Sequence, residues 1–401
     1  MIGRSSASPR RARVGVSLNF MTNGLMLTLT PRLPEIKQAF ELSDGFYGIV
    51  VAAMGAGALI VGPVPARFIA RLGALKVSLV ATIGAAIMLA VAAGATHPAV
   101  FALAFFVMGM LDAHIDAAQN TQGVAVQAWA GRTIMNSLHA TWSIGATVAT
   151  LAGSIAAGLG VPLAAHGAAI AVLIVLLALV CYRMGTIPDD VQLAQQHSKQ
   201  RADQKAPANW RRLLPVVPLA LLGVVGVIPE DATSNWAALY LIDRFDLGFS
   251  LAGAAVTVML VAQVIGRLLS DPLADRFTQE TVAGVGGGLV AAGALLVIIT
   301  PVAPLVYLGL VLMGIGCAPI VPAAFSAAGR LPGLASGTGI TLVGFAMRLA
   351  LTLNSPLMGG VAEATSVRTA FSLVVGAGVV ACLIARRYRE HPGSDRPIRT
   401  H

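Results

Sequence analysis

Two carboxylates and an amide stand at helical spacing inside an apolar stretch of the chain. Asp112, Asp116 and Asn120 follow one another at intervals of four residues, so a helix places all three on one face. Such a face can exchange protons, bind a polar solute or form a hydrogen-bonded strip that fixes helix packing. His114 points elsewhere on a helix, so it cannot converge with the two aspartates on a metal ion.

A second polar patch interrupts a later apolar stretch. The chain reads Pro229-Glu230-Asp231, with Asn235 and Trp236 about one turn further on. Proline removes a backbone hydrogen bond and loosens a helix. A loosened segment with two carboxylates, an amide and an indole can bind a polyhydroxylated or cationic solute. The alternative is that the two carboxylates are hydrated at the mouth of a cavity.

Arg348 is a permanently charged side chain within an apolar stretch. Charge is costly inside a membrane, so this guanidinium must face a cavity or pair with a carboxylate. Arg348 can form a structural ion pair, or it can bind an anion. A third possibility is an ion pair that breaks when a proton or a substrate arrives. The candidate partners are Glu230, Asp231, Asp112 and Asp116.

The other candidates for chemistry are single polar residues. His139 titrates near neutral pH, although a lone histidine also serves as a hydrogen-bonded packing residue. Asn19 and Asn23, next to Gly24, suit either ligand contact or close helix packing. The three cysteines lack metal-ligand spacing, and no phosphate-binding loop of the G-x-x-x-x-G-K-[ST] type occurs. We therefore predict no metal, no cofactor and no ATP-driven pump.

Composition identifies the elements that must position these residues. The chain has 401 residues, of which 56% are hydrophobic and 11% charged, whereas a soluble domain carries about 25% charged residues. That deficit excludes an ordinary soluble enzyme. Stretches of about 20 apolar residues, enough to cross a bilayer as a helix, recur along the whole chain. We predict twelve spans, including Val14 to Pro31, Phe46 to Pro65 and Leu334 to Met358.

The placement of charge predicts topology and domains. The net charge is +9, and the lysines and arginines concentrate at the N-terminus, in alternate loops, in a central polar stretch and in the tail. The positive-inside rule then predicts both termini in the cytoplasm, and no nucleic-acid partner is needed to explain the charge. The predicted divisions are a six-helix bundle at 1–187, a cytoplasmic linker at 188–212, a second six-helix bundle at 213–387 and a tail at 388–401.

The two halves show signs of duplication. At an offset of 205 residues, Met108-Gly109 aligns with Met313-Gly314, and Arg71 aligns with Arg276. Two six-span halves joined by a cytoplasmic loop are a recurring architecture of secondary transporters, with the substrate site between the halves. The sequence thus predicts an all-α membrane protein built from twelve transmembrane helices in two pseudo-repeated bundles.

Two loops resemble the G-x-x-x-D-R-x-G motif of the major facilitator superfamily. The first loop keeps Arg71 and Gly73 but has Ala70 in place of the aspartate. The second keeps Asp275 and Arg276 but has Thr278 in place of the glycine. In that family the loop latches the halves and governs their rocking. The resemblance therefore implies a conformational latch that comprises Arg67, Arg71, Gly73, Asp271, Asp275 and Arg276.

Longer stretches resemble the fucose-permease-like and rhizopine-cluster branch of that superfamily. They are Thr30 to Pro34, Asp116 to Asn120, Leu138 to Gly145, and Glu230 to Ala232 with Asn235-Trp236. The chain departs from this branch at Gln127, where the relatives tend to have an acid. The glycine-proline motif of span 5 in drug/proton antiporters is absent, which argues against drug efflux.

These observations predict a secondary transporter, not an enzyme, that works as a monomer in the bacterial cytoplasmic membrane. It would move a small polar solute, such as a sugar or polyol, by alternating access with proton coupling. The predicted substrate-binding residues are Asn19, Asn23, Asn120, Trp142, Trp236 and Arg348, and the predicted proton-coupling residues are Asp116, Glu230, Asp231 and His139. Two alternatives stay open: efflux of a drug or signalling metabolite, and a membrane sensor that keeps the transporter fold without transport.

Overall fold

Long helices follow the apolar stretches in the computed structural model of the chain. The structure describes residues 8–62, 64–130, 134–184, 213–329, 331 and 338–389. Within these ranges every regular element is a helix, so the prediction of an all-α protein is confirmed. The predicted linker at 188–212 and the tail beyond Arg389 lie outside the described residues.

The helices are numbered in chain order. The elements before the linker are α1 Pro9–Gly24, a 3-10 segment Leu25–Arg32, α2 Leu33–Ala39, α3 Asp44–Ile60, α4 Val64–Leu72, α5 Ala74–Ala93, α6 Pro98–Ala130, α7 Met135–Gly158 and α8 Leu163–Met184. Those after it are α9 Val216–Ala232, a π-helical segment Thr233–Ala237, α10 Ala238–Phe245, α11 Phe249–Phe277, α12 Gln279–Ile299, α13 Ala303–Cys317, α14 Ile320–Gly329, α15 Thr338–Ala364, α16 Val367–Ala370 and α17 Ser372–Arg389.

In the described part of the chain, nine helices are long and apolar enough to cross a membrane, or ten if the bent pair α3 and α4 is one span. That pair is bent by 57°. The first predicted span, Val14 to Pro31, is α1 followed by the 3-10 segment that contains Pro31. The span predicted at Leu334 to Met358 corresponds to α15, which has 27 residues and is about 40 Å long. A total of twelve spans is compatible with these helices and stays a prediction.

The helix irregularity expected at Pro229 lies one turn further along the chain. α9 continues through Pro229 to Ala232, and a wider π-helical turn follows at Thr233–Ala237. Such turns occur often at functional sites in helices. The hydroxyl of Tyr47 on α3 donates to the backbone carbonyl of Asn235 over 2.6 Å, so a side chain from another helix stabilises the turn.

Residue contacts group the chain into two compact units. Unit 1 consists of Met1–Ala208, Asp231–Leu260 and Arg348–Ala370, and unit 2 of Asn209–Glu230, Val261–Met347 and Phe371–His401. One unit boundary falls between Ala208 and Asn209, within the predicted linker, and three others fall inside α9, α11 and α15. The predicted division into halves at 188–212 is a different partition and stays a prediction.

In unit 1, α1 and α7 cross at close range. A side chain at Gly24 would meet the carbonyl oxygen of Trp142, and a side chain at Gly145 would meet the carbonyl oxygen of Met21. Small residues that let two backbones approach are typical of helix packing in membranes. The crossing therefore fixes the positions of Trp142 and of Asn23, which precedes Gly24.

The pseudo-repeat is visible in the helix starts and in unit 2. α5 and α6 begin at Ala74 and Pro98, and α12 and α13 begin 205 residues later, at Gln279 and Ala303. Within unit 2, α12 and α13 approach through a reciprocal glycine contact, as α1 and α7 do in unit 1. The structure thus agrees with the duplication that the sequence predicts.

The repeat extends to the backbone conformation before two helices. Gly73, before α5, has φ 82° and ψ 148°, and Thr278, before α12, has φ 94° and ψ 150°. Glycine adopts this region freely, whereas any other residue is strained there by about 1–3 kcal/mol. The Thr278 hydroxyl offsets part of the strain because it accepts a hydrogen bond from the backbone N–H of Thr281.

We predict that Thr278→Gly raises the free energy of unfolding by about 1 kcal/mol, because removal of the strain outweighs the lost cap. The matched variant Gly73→Thr should lower it by a similar amount. Among the described residues, no heavy atom lies within 4 Å of a Cβ built at Gly73, so this substitution tests the backbone alone. Thermal unfolding in detergent measures the stability of both variants. Stability shifts of the same sign would contradict backbone strain as their cause.

Candidate functional site

An ion pair joins α15 to α6 within unit 1. Nη2 of Arg348 lies 3.0 Å from Oδ2 of Asp116, and the two side chains are 46% and 38% exposed. Of the four carboxylates considered above, Asp116 is the one that forms a direct ion pair with Arg348 in the described residues. A charge in hydrocarbon costs about 2.5–3.5 kcal/mol, so a partly exposed pair within apolar helices must face water.

The same face of α6 carries two further polar groups. Nδ2 of Asn120 donates to Oδ1 of Asp116 over 2.8 Å. One turn before Asp116, the half-buried Asp112 accepts a hydrogen bond from Asn23 of α1 and interacts electrostatically with Asp116 and Arg348. The sequence placed Asp112 on this face but gave it no specific role. Its spacing of four residues from Asp116 was the available signal.

Three of the predicted substrate contacts, Asn19, Asn23 and Trp142, lie on α1 and α7, and Asn23 contacts this face. Asn23 is buried and bonds Asp112, as described above. Trp142 of α7 is half-buried and packs against apolar residues of unit 1, among them Ala146 and Leu260. Asn19, one turn before Asn23, is buried and donates to the hydroxyl of Ser78 over 2.8 Å. That bond links α1 to α5.

His139 lies near the start of α7. Its side chain is exposed. The imidazole ring meets the ring of Phe20 edge to face, with centroids 5.2 Å apart.

Asp231 organises a separate cluster in unit 1. Its Oδ1 accepts from the amide of Asn235 over 2.9 Å. Its Oδ2 accepts from the amide of Asn354 over 2.7 Å and from the hydroxyl of Ser355 over 3.4 Å. The last two residues belong to α15 and lie about two turns beyond Arg348. The Asp231 carboxylate therefore ties the π-helical turn to the helix that carries the arginine of the ion pair.

Trp236 lies in the interior next to this cluster. Its side chain is fully buried and meets Tyr47 edge to face at 5.1 Å. The indole Nε1 has no hydrogen-bond partner among the described residues. In this structure the indole packs against Tyr47, and its predicted role as a substrate contact stays a prediction.

The neighbouring Glu230 belongs to unit 2. Its Oε2 accepts from Nε2 of the buried Gln263 over 2.7 Å, and the same amide lies 3.5 Å from Sγ of Cys317. Successive residues of a helix point about 100° apart, which separates Glu230 from Asp231. The two carboxylates that the sequence treated as one patch therefore have different surroundings.

The predicted latch residues lie at the ends of α4 and α11. Arg67 and Arg71 are exposed, and Arg276 lies 5.2 Å above the ring centroid of Phe277. The side chains of Asp271 and Asp275 lie outside the described part of the chain. The latch role of all these residues stays a prediction. No group of three His, Cys, Asp or Glu side chains that could bind a metal is found in the described ranges.

We predict that Tyr47→Phe lowers the free energy of unfolding by about 1 kcal/mol, because it removes the hydrogen bond to Asn235 and leaves that carbonyl without its donor. Tyr47→Leu should cost more, because it also removes the edge-to-face contact with Trp236. Thermal unfolding of both variants separates the hydroxyl from the ring. Equal losses would show that the hydroxyl contributes all of the effect.

Comparison with known proteins identifies the family. The model of the Major Facilitator Superfamily matches residues 14–253 and 219–400. The chain belongs to the major facilitator superfamily. It is 31% identical over 375 residues to the uncharacterised transporter y4wD of Sinorhizobium fredii, a match that covers 92% of this chain and 96% of that protein.

Two further matches agree with this family. The membrane protein MosC of Rhizobium meliloti is 24% identical over 387 residues, which cover 95% of this chain and 91% of MosC. MosC is the rhizopine-cluster protein, so the relationship predicted from the sequence is confirmed. The crystal structure of a D-xylose-proton symporter has the same fold, with a TM-score of 0.74 at 13% identity over 94% of this chain and 96% of that one. This superfamily member is thus a multi-pass membrane protein of a transporter family.

Proposed function

We propose that this superfamily member moves a small polar solute, such as a sugar or polyol, across the bacterial cytoplasmic membrane by alternating access, driven by the proton gradient. The ion pair between Asp116 and Arg348 carries the proposal. Its charges lie within apolar helices and are partly exposed, which suits a wet binding site and not a buried structural bridge. The D-xylose-proton symporter supports this class of coupling for a protein of this fold.

In this proposal the solute binds along the polar face of α6. Arg348 and Asn120 are N–H donors for solute oxygens, and the carboxylate of Asp116 accepts from solute hydroxyls. Trp142 offers an apolar surface for the ring of a sugar or cyclic polyol. We assign Asn19 and Trp236, which contact Ser78 and Tyr47, to helix packing and not to solute contact.

The mechanism follows from the charge balance of the site. An ionised carboxylate attracts Arg348 and so keeps α15 close to α6. A proton on a carboxylate of α6 removes one negative charge and weakens that attraction. Proton binding and helix movement then become linked, which is the requirement for using a proton gradient to move a solute. The protein works as a monomer with both termini in the cytoplasm.

The first experiment identifies a solute. A thermal-shift screen of the purified protein uses sugars, polyols, amino acids and organic acids, because a solute that binds the folded state raises its stability. A stabilising sugar or polyol is then supplied in radiolabelled form to proteoliposomes whose outside is more acidic than the inside.

We expect accumulation that requires the pH gradient and is abolished by a protonophore. Binding without any flux would favour the sensor alternative and contradict transport. Movement of the solute only in exchange for incoming protons would favour efflux. The variant Arg348→Gln, which removes the cation of the ion pair, should bind the solute weakly and accumulate none.

A further inference from the structure

The carboxylates of unit 1 differ in how firmly their negative charge is stabilised. Asp116 has the guanidinium of Arg348 on one oxygen and the amide of Asn120 on the other. Charge-assisted hydrogen bonds of this kind favour the ionised form of a carboxylate. Both oxygens of Asp116 therefore have a donor, one of them cationic.

The carboxylate of Asp231 is also well satisfied. Two amides and a hydroxyl, from Asn235, Asn354 and Ser355, donate to its two oxygens. Each of these donors stabilises the charged form of the carboxylate. In unit 2, Glu230 has a direct amide donor in Gln263 and, unlike Asp112, no second carboxylate one turn away on the same helix face.

Asp112 has the least support for a negative charge. Its hydrogen-bond donor is the neutral amide of Asn23, and the charged group that acts on it most strongly is the carboxylate of Asp116, one turn along α6. Like charges four residues apart on a helix repel each other. If Asp112 and Asp116 are both ionised, this face carries one more negative than positive charge, which a membrane interior opposes.

We propose that Asp112 is the residue that binds and releases the coupling proton, an inference that rests on the transport function proposed above. A proton from water on one side forms an O–H bond with the Asp112 carboxylate and later leaves as a proton to the other side. Protonated Asp112 leaves the neutral pair of Asp116 and Arg348. Ionised Asp112 competes with Asp116 for the same guanidinium.

The charged groups that act on Asp112 come from two helices. Helices α1, α3, α4, α5 and α7 pack against α6, and from them the amide of Asn23 acts on the carboxylate. The charged groups that act on it among the described residues are Asp116, on α6 itself, and Arg348, on α15. The proton on Asp112 therefore determines whether Arg348 is attracted to one carboxylate of α6 or to two.

An infrared titration tests this assignment without a solute. The wild-type protein in a lipid film should show the carbonyl-stretch band of a neutral carboxylic acid, which disappears as the pH is raised. Asp112→Asn should lose this band, and Asp112→Glu should retain it at a slightly different frequency. Glu230→Gln and Asp231→Asn are matched controls that should leave the band unchanged.

The variant Asp116→Asn tests how far the pH at which the band disappears depends on the neighbouring carboxylate. This variant removes the repelling carboxylate and leaves Arg348 free to pair with Asp112. The band should then disappear at a pH lower by about one to three units, the usual effect of an opposite charge at close range. Survival of the band in Asp112→Asn, or its loss in Glu230→Gln or Asp231→Asn, would overturn the assignment. If Asp112→Asn does not fold, Asp112→Glu tests the same assignment, because the frequency of the band should change in that variant.

Uptake measurements separate this inference from the proposed function. Asp112→Asn should still exchange the solute across the membrane but should no longer accumulate it against a gradient. Full proton-driven accumulation by Asp112→Asn would refute Asp112 as the coupling residue and leave the transport function intact. A titrating Asp112 in a protein that moves none of the solutes from the thermal-shift screen would refute transport and leave the protonation of Asp112 established.

Discussion

Arg348→Gln should reduce solute accumulation by more than tenfold, the effect of losing about 1.4 kcal/mol or more of interaction at the site. The variant leaves the carboxylates of Asp116 and Asp112 one turn apart without a cation. It also removes the N–H donors that we assign to the solute. Uptake by proteoliposomes gives the loss, and Lys76→Gln, which removes an exposed cation on α5, is the control that should keep full uptake.

Stability measurements on Asp116→Asn, Arg348→Gln and the double variant test how much the two charges of the ion pair stabilise each other. Asp116→Asn and Arg348→Gln each leave one charge without its partner, whereas the double variant leaves neither. We expect the double variant to be more stable than the sum of the single losses predicts, by about 0.5–3 kcal/mol. Thermal unfolding of all four proteins gives this coupling. Strictly additive losses would show that the contact contributes nothing to stability.

The second large effect is expected at the crossing of α1 and α7. Gly145→Leu should lower the free energy of unfolding by about 1–3 kcal/mol, because its side chain would overlap the backbone of Met21. Uptake should also be lost, because α7 would move away from α1 and would displace Trp142 and Asn23. Unfolding in detergent and uptake in proteoliposomes measure the two effects.

Gly360→Leu is the matched control for this prediction. Among the described residues, no heavy atom lies within 4 Å of a Cβ built at Gly360, so the same side chain is accommodated there. Gly145→Ala should give an intermediate loss, because a single methyl already meets the Met21 carbonyl. If Gly145→Leu proves as stable as Gly360→Leu, the close crossing does not exist in the protein.

Sequence reasoning predicted the features that depend on local spacing. The apolar stretches give the helices, because a span of the required length has few other ways to satisfy its backbone in a membrane. The four-residue spacing of Asp112, Asp116 and Asn120 gives one polar face on α6. The offset of 205 residues anticipates the matching starts of α5 and α12.

The partners across helices could not be predicted in the same way. Asp116 and Arg348 are 232 residues apart, and which of four carboxylates meets the arginine depends on the axial register between α6 and α15. The different surroundings of Glu230 and Asp231 likewise depend on what packs on each side of α9. Contacts between small residues determine the axial register of packed helices. A chain rich in alanine and glycine allows many such contacts, so its sequence does not specify one register.

The positive φ angle of Thr278 is a second feature that the local sequence could not predict. Threonine gives no local signal for a conformation that glycine favours, so its strain could be recognised only by alignment with Gly73. The duplication carries that information, because the second copy retained the backbone shape after the residue type had changed.

The buried indole of Trp236 has a practical consequence. It is one of four tryptophans, its side chain is fully buried, and its Nε1 has no hydrogen-bond partner among the described residues. Entry of water between Trp236 and Tyr47 would shift the fluorescence emission of Trp236 to longer wavelength. A variant in which Trp129, Trp142 and Trp210 are replaced by phenylalanine would therefore carry a native optical reporter of motion at the π-helical turn, with no attached dye.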